Sequence, residues 1–134
     1  MKIDMIDFSL EHAALFQDSA QQGLVRRHKD EVAGYSVTVG GEIVACVGVI
    51  TTMLGREVWS MLGEVVKERP REFIRLFRDM LDINARAYGN DLYVHFPAGH
   101  RRQRRFAELV GFEYTMTLGT PLGVLEQYKY REES

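Results

Sequence analysis

The 134-residue chain holds one cysteine, Cys46, and three prolines. A lone cysteine excludes an internal disulfide framework and any cysteine-built metal site. No stretch approaches the roughly 18 apolar residues of a membrane-spanning helix. The opening Met1–His12 lacks the basic head and apolar run of a secretory signal, so the expectation is a soluble, cytoplasmic protein with no membrane partner. Neither sign of charge dominates: 17 Lys and Arg stand against 19 Asp and Glu, which excludes a uniformly basic nucleic-acid binder. The four histidines (His12, His28, His95 and His100) have no metal-ligand spacing, and no metal is expected. Ser9, Ser19, Ser36 and Ser60 have no nucleophile-elbow context.

What is present is an ordinary globular composition, 46% hydrophobic and 27% charged. The length predicts one domain over residues 1–134. The near-neutral charge conceals a split. From Lys67 to Arg105 ten basic residues face five acidic ones, a local +5, and the remainder carries seven against fourteen, or −7.

The periodicities predict a short strand at Lys2–Ile6, then a helix over Leu10–Gln22 capped by Ser9, and a second helix over Leu24–Asp30. Tyr35, Val37 and Val39 alternate up to a Gly40-Gly41 hairpin turn, and Glu42–Met53 continues as an apolar strand that buries Cys46. A turn at Leu54-Gly55-Arg56 leads to a strand over Glu57–Leu62, and Gly63–Arg69 reads as a loop. Pro70 opens the clearest helix, which stops at Gly89-Asn90. Its apolar face is Phe73, Leu76, Phe77, Met80, Ile83 and Ala87; Arg71, Arg75, Arg78, Asp82 and Arg86 form the solvated stripe. A strand at Leu92–Phe96 and a helix from His100 to Val110 follow. Strands at Phe112–Leu118 and Leu125–Arg131, joined by a turn at Gly119-Thr120-Pro121, close the chain. Strand, long helix, strand implies one parallel pair with a right-handed crossover, so the class is α/β (α+β) with a mixed, mostly antiparallel sheet.

This order of about seven strands and four helices resembles the GNAT superfamily of N-acetyltransferases. The local likeness is best at the Tyr35–Val49 hairpin and at Arg105-Phe106-Ala107-Glu108-Leu109-Val110-Gly111-Phe112, which is similar to the family's last helix and its closing Gly-Phe pair. A narrower pattern resembles small GNAT-like internal virion or head-assembly proteins of tailed phages. It rests on Val58-Trp59, a linker without glycines at Glu64–Arg69, the Arg-rich helix Pro70–Tyr88, and Arg105-Phe106. That resemblance implies a virion-associated assembly or binding role, in the host cytoplasm or the virion, with phage structural proteins or further copies of the chain as partners.

The broader resemblance implies acetyl-CoA as cofactor, if the protein is active. Such enzymes cradle the pyrophosphate on backbone amides at the start of the long helix, in a loop kept open by glycines. Here no glycine follows Gly63 until Gly89, Pro70 removes an amide donor, and Glu68 and Glu72 add negative charge. Lys67, Arg69 and Arg71 are the side chains left to hold phosphate. The general acid of the family is often a tyrosine four residues before the closing glycine; that position is Ala107. Candidates for the base are Glu57, Glu64 and His95. Each has a plain structural alternative, a solvated strand-end carboxylate or a hydrogen-bonded core histidine. Arg101, Arg102, Arg104 and Arg105 form a basic surface that fits a solvated face, phosphate or nucleic acid, or an acidic protein surface. The residues together favour a degenerate acetyl-CoA site and an assembly or binding role. An active N-acetyltransferase is the alternative, and a nucleic-acid module the weaker one.

Overall fold

In a computed structural model of the chain, residues 2–16, 25, 33–52, 54–88, 91–121 and 123–131 are described, without the side chains of Lys67, Tyr88 and Arg102. Seven strands form a mixed sheet: β1 (Ile3–Asp7), β2 (Ala33–Val39), β3 (Glu42–Thr52), β4 (Gly55–Leu62), β5 (Leu92–Pro97), β6 (Phe112–Thr120) and β7 (Gly123–Tyr130), in the order β1-β2-β3-β4-β5-β7-β6. Four helices accompany it among the described residues: α1 (Leu10–Ala13), α2 (Glu64–Glu68), α3 (Pro70–Tyr88) and α4 (Arg101–Val110). The parallel pair is β4 with β5, through Arg56↔Leu92 and Glu57↔Tyr93. The expected α/β class and mixed, mostly antiparallel sheet are therefore present.

One compact unit comprises residues 1–52 and 58–70. Its β2–β3 hairpin turns at Gly40-Gly41, whose φ values of +59° and +83° are those that side chains resist. Gly34 and Gly48 face each other across the two strands, and a Cβ on Gly48 would stand 2.1 Å from the Ala33 carbonyl oxygen and 2.6 Å from the Trp59 ring. The missing side chains thus make the space in which Trp59 packs, together with Ala13, Cys46, Ile50 and Met61. Ser9 caps α1 as expected, and its own amide donates to His12 Nδ1 at 3.2 Å. That nitrogen is therefore an acceptor, so the buried Ser36 hydroxyl, 2.7 Å away, donates to it as well. The Cys46 thiol lies 3.3 Å from Ser36 Oγ.

The second unit comprises residues 53–57 and 71–134. Phe73, Phe77, Leu81 and Ala85 make the buried line of α3. Complete burial of an apolar side chain of this kind contributes about 1.5–3 kcal/mol. Phe77 meets Phe106 of α4 edge to face at 5.9 Å. Phe112 and Tyr130, and Phe96 and Tyr128, pair across the strands.

Several sequence expectations need correction. Gly63–Arg69 is not a loop: Glu64–Glu68 closes into α2, because Gly63 in an extended conformation serves as its N-cap. β4 begins at Gly55, inside the expected turn, and β6 runs through Gly119 and Thr120 to a tight hairpin in which Thr120 pairs with Gly123. On α3 the buried line steps by four residues and so drifts around the helix, which leaves Ile83 66% exposed and Ala87 at the surface. Asp82, placed on the solvated stripe, instead accepts a hydrogen bond from Tyr130. The predicted helix from Leu10 ends early: α1 stops at Ala13, Ala14 is its C-cap and residues 14–16 are not helical, while residues 17–22 and the helix at Leu24–Asp30 lie outside the described residues, Val25 excepted.

Candidate functional site

The first unit carries the segment in which the family resemblance places the cofactor phosphates. Gly63 donates its amide to the Val44 carbonyl at 2.8 Å, which ties the start of the segment to β3. Within the turn that follows, the Val66 amide goes to the Gly63 carbonyl and the Arg69 amide to the Val65 carbonyl. Three donors are thereby committed to the chain itself, and Pro70 has none to give. Glu64 sits exposed in the first turn of α2 and Glu68 exposed in its last. Arg69 follows as the C-cap, half-buried; of Lys67 the backbone alone is described. A pyrophosphate cradle requires several open amides aimed at one point. Here Gly63, Val66 and Arg69 turn theirs to carbonyls of the chain.

The second unit holds the remaining candidates. Arg71 is exposed in the first turn of α3, beside Glu72, whose carboxylate supplies the negative charge favoured at a helix N-terminus. Ala107 is buried, so no phenol is available at that position. Arg101, Arg104 and Arg105 are exposed on α4; Arg104 Nε lies 3.8 Å from Glu108 Oε1. The Arg102 side chain lies outside the described residues. The first turn of α4 carries no acidic residue, and its N-cap His100 makes no side-chain cap.

The structure brings Glu57 and His95 together. His95 Nδ1 lies 2.5 Å from Glu57 Oε1, and Nε2 lies 3.0 Å from Oε1 of Gln127. All three residues are buried. Burial, the largest single influence, pulls the His95 pKa down; the hydrogen bonds to Glu57 and Gln127 and the charge of Glu57 outweigh it, and the net shift is upward. Both ring nitrogens face oxygens of the chain, which leaves neither directed at a substrate. Glu64 belongs to the other unit. Gln127 and Thr115, which complete the chain of hydrogen bonds, carry no signal in the sequence.

Among the described residues no group of His, Cys, Asp and Glu is placed to hold a metal, and no helix is long and apolar enough to cross a membrane.

Comparison with known proteins gives a fold. No protein-family model and no curated protein sequence matches the chain. Solved structures do. A putative acetyltransferase of the GNAT family from Desulfovibrio desulfuricans matches 98% of this chain and 100% of its own, with a TM-score of 0.75 and 12% identity. The enzyme AAC(6')-Ib, solved with an aminoglycoside and acetyl-CoA, matches over 97% of this chain and 93% of its own at a TM-score of 0.70 and 11% identity. An IAA acetyltransferase from Bacillus cereus covers 96% and 99% at a TM-score of 0.68 and 14% identity. The chain has the GNAT fold. At such identities the likeness carries the architecture and not the chemistry.

Proposed function

We propose that this chain is a GNAT-fold protein whose acetyl-CoA site has degenerated and which serves in assembly or binding, as the resemblance to virion-associated phage proteins implies. The observation that carries the reading is the Gly63–Pro70 segment. A GNAT enzyme spends the amides of that segment on its cofactor, whereas here Val66 and Arg69 spend theirs on carbonyls within α2, and Pro70 ends the run. Ala107 and the fully engaged ring of His95 support it further, since neither provides the acid or the base that acyl transfer needs. In this reading the exposed arginines of α4 meet an acidic surface on a phage structural protein or on another copy of the chain.

Isothermal titration with acetyl-CoA tests the reading. It expects no heat of binding at millimolar cofactor, and micromolar binding contradicts it.

The second reading is an active N-acetyltransferase, favoured by near-complete likeness to structures solved with acetyl-CoA. In that reading Lys67, Arg69 and Arg71 hold the phosphates with side chains, and Glu64 or His95 receives the proton. It expects saturable cofactor binding that weakens when Arg69 and Arg71 are replaced.

A further inference from the structure

His95 is the centre of a hydrogen-bond chain that crosses four neighbouring strands. In strand order the chain is Glu57 on β4, His95 on β5, Gln127 on β7 and Thr115 on β6. His95 and Gln127 are direct partners in the antiparallel ladder. Thr115 is placed differently. The β6–β7 register passes from Tyr114↔Tyr128 to Met116↔Gln127, so Thr115 is the extra residue of a bulge. Bulges of this kind re-aim a side chain; this one brings Thr115 Oγ1 within 3.0 Å of Gln127 Nε2 and 3.2 Å of the Gln127 carbonyl oxygen.

With the Gln127 amide nitrogen toward Thr115, the protons of the chain follow. The one hydrogen of the Thr115 hydroxyl goes to the Gln127 carbonyl, which is an acceptor only. Thr115 Oγ1 is then left to accept, and the Gln127 amide must present its nitrogen to it. The amide oxygen consequently faces His95 Nε2, so Nε2 carries a hydrogen. On the other side of the ring, Nδ1 faces a carboxylate oxygen at a charge-assisted distance. An imidazole held between two acceptors is satisfied as the imidazolium.

The location gives the chain a consequence. The parallel pairing of β4 to β5 consists of two residue pairs, Arg56↔Leu92 and Glu57↔Tyr93. The side chain of Arg56 reaches Asn84 of α3, and that of Glu57 reaches His95. We infer that Thr115 and Gln127 lock His95 in its doubly protonated form against Glu57, making a protonation-dependent clasp that holds the start of β4 on β5. The groups around the ring are few: Glu57 from β4, Gln127 from β7, and Tyr93 from β5 itself, its ring centroid 6.5 Å away. Lys129 of β7 lies over Tyr93 and is tied to Asp91 at 3.2 Å. The sign follows from linkage. A histidine whose pKa is raised on folding contributes stability that is fully present below its unfolded value and is lost as pH rises through its folded value.

The test is nitrogen-15 NMR of the histidine rings in the intact chain, titrated from acid to alkaline pH. The clasp requires two alike, protonated ring-nitrogen signals for His95 and a midpoint above the ordinary histidine value. The decisive variant is Thr115→Val. Thr115 is exposed, so the fold survives the change, but the Gln127 amide is freed to turn its nitrogen toward His95. The His95 midpoint must then fall, and Thr115→Ser must restore it. In the unaltered chain, amide exchange at Arg56 and Glu57 must also accelerate above the midpoint, beyond the intrinsic base-catalysed increase. A His95 that is neutral near pH 6, or a midpoint identical in Thr115→Val and the unaltered chain, overturns the inference. So does exchange at Arg56 and Glu57 that ignores the midpoint.

Discussion

The Tyr130 hydroxyl on β7 lies 2.5 Å from Asp82 Oδ1 on α3, with the Arg78 carbonyl oxygen 3.2 Å away. A phenol buried to this degree needs a partner, and a carboxylate is a strong one. Tyr130→Phe keeps the ring against Phe112 and removes the hydroxyl. The expected loss is about 1.5–3 kcal/mol, the usual worth of a hydrogen bond to a charged group. Urea unfolding of the two proteins measures it directly.

Gly48 is the most crowded glycine of the described residues, with backbone oxygen and the Trp59 ring where a Cβ would go. Gly48→Ala is expected to destabilise by at least about 1–3 kcal/mol, the cost of overpacking a filled core. Gly40→Ala meets open space and carries only the conformational cost of a positive φ, about 1 kcal/mol. Denaturation midpoints that rank the two in the opposite order contradict the packing described for Trp59.

Cys46 is fully buried, and burial pushes its thiol pKa up, with a smaller opposing effect from Ser36. The thiol therefore stays protonated and inert in the folded chain. A thiol-reactive dye is expected to label it no faster than the protein unfolds, and to label it at once in denaturant. Rapid labelling of the native chain places Cys46 at the surface instead.

Phe106 is half-buried against Phe77, which makes it the side chain that seats α4 on α3. Phe106→Ala is expected to lower the melting temperature, at a cost of about 1–3 kcal/mol, below the range for a fully buried phenylalanine. An unchanged melting temperature contradicts the placement of α4.

The succession of strands and helices along the chain was legible because alternation, paired glycines and the Pro70-to-Gly89 helix each announce themselves locally. α2 was not, since five residues carry too little periodicity to tell a helical turn from a loop. The drift of the buried line on α3 was missed for a related reason. Ile83 is apolar and near enough to the stripe to be counted in it, yet it lies exposed. At the candidate site, Glu57 and His95 were each visible as titratable residues 38 positions apart, with nothing to join them. Only the β4–β5 pairing does so. Thr115 was invisible, because the bulge that aims it has no glycine to mark it.

The proposed function requires that the Gly63–Pro70 segment take no cofactor. Amide NMR of the nitrogen-15-labelled chain during titration with acetyl-CoA tests it residue by residue. The signals from Gly63 through Phe73 are expected to stay in place up to millimolar cofactor. Saturable shifts of the Val66, Arg69 and Arg71 amides at micromolar acetyl-CoA contradict it.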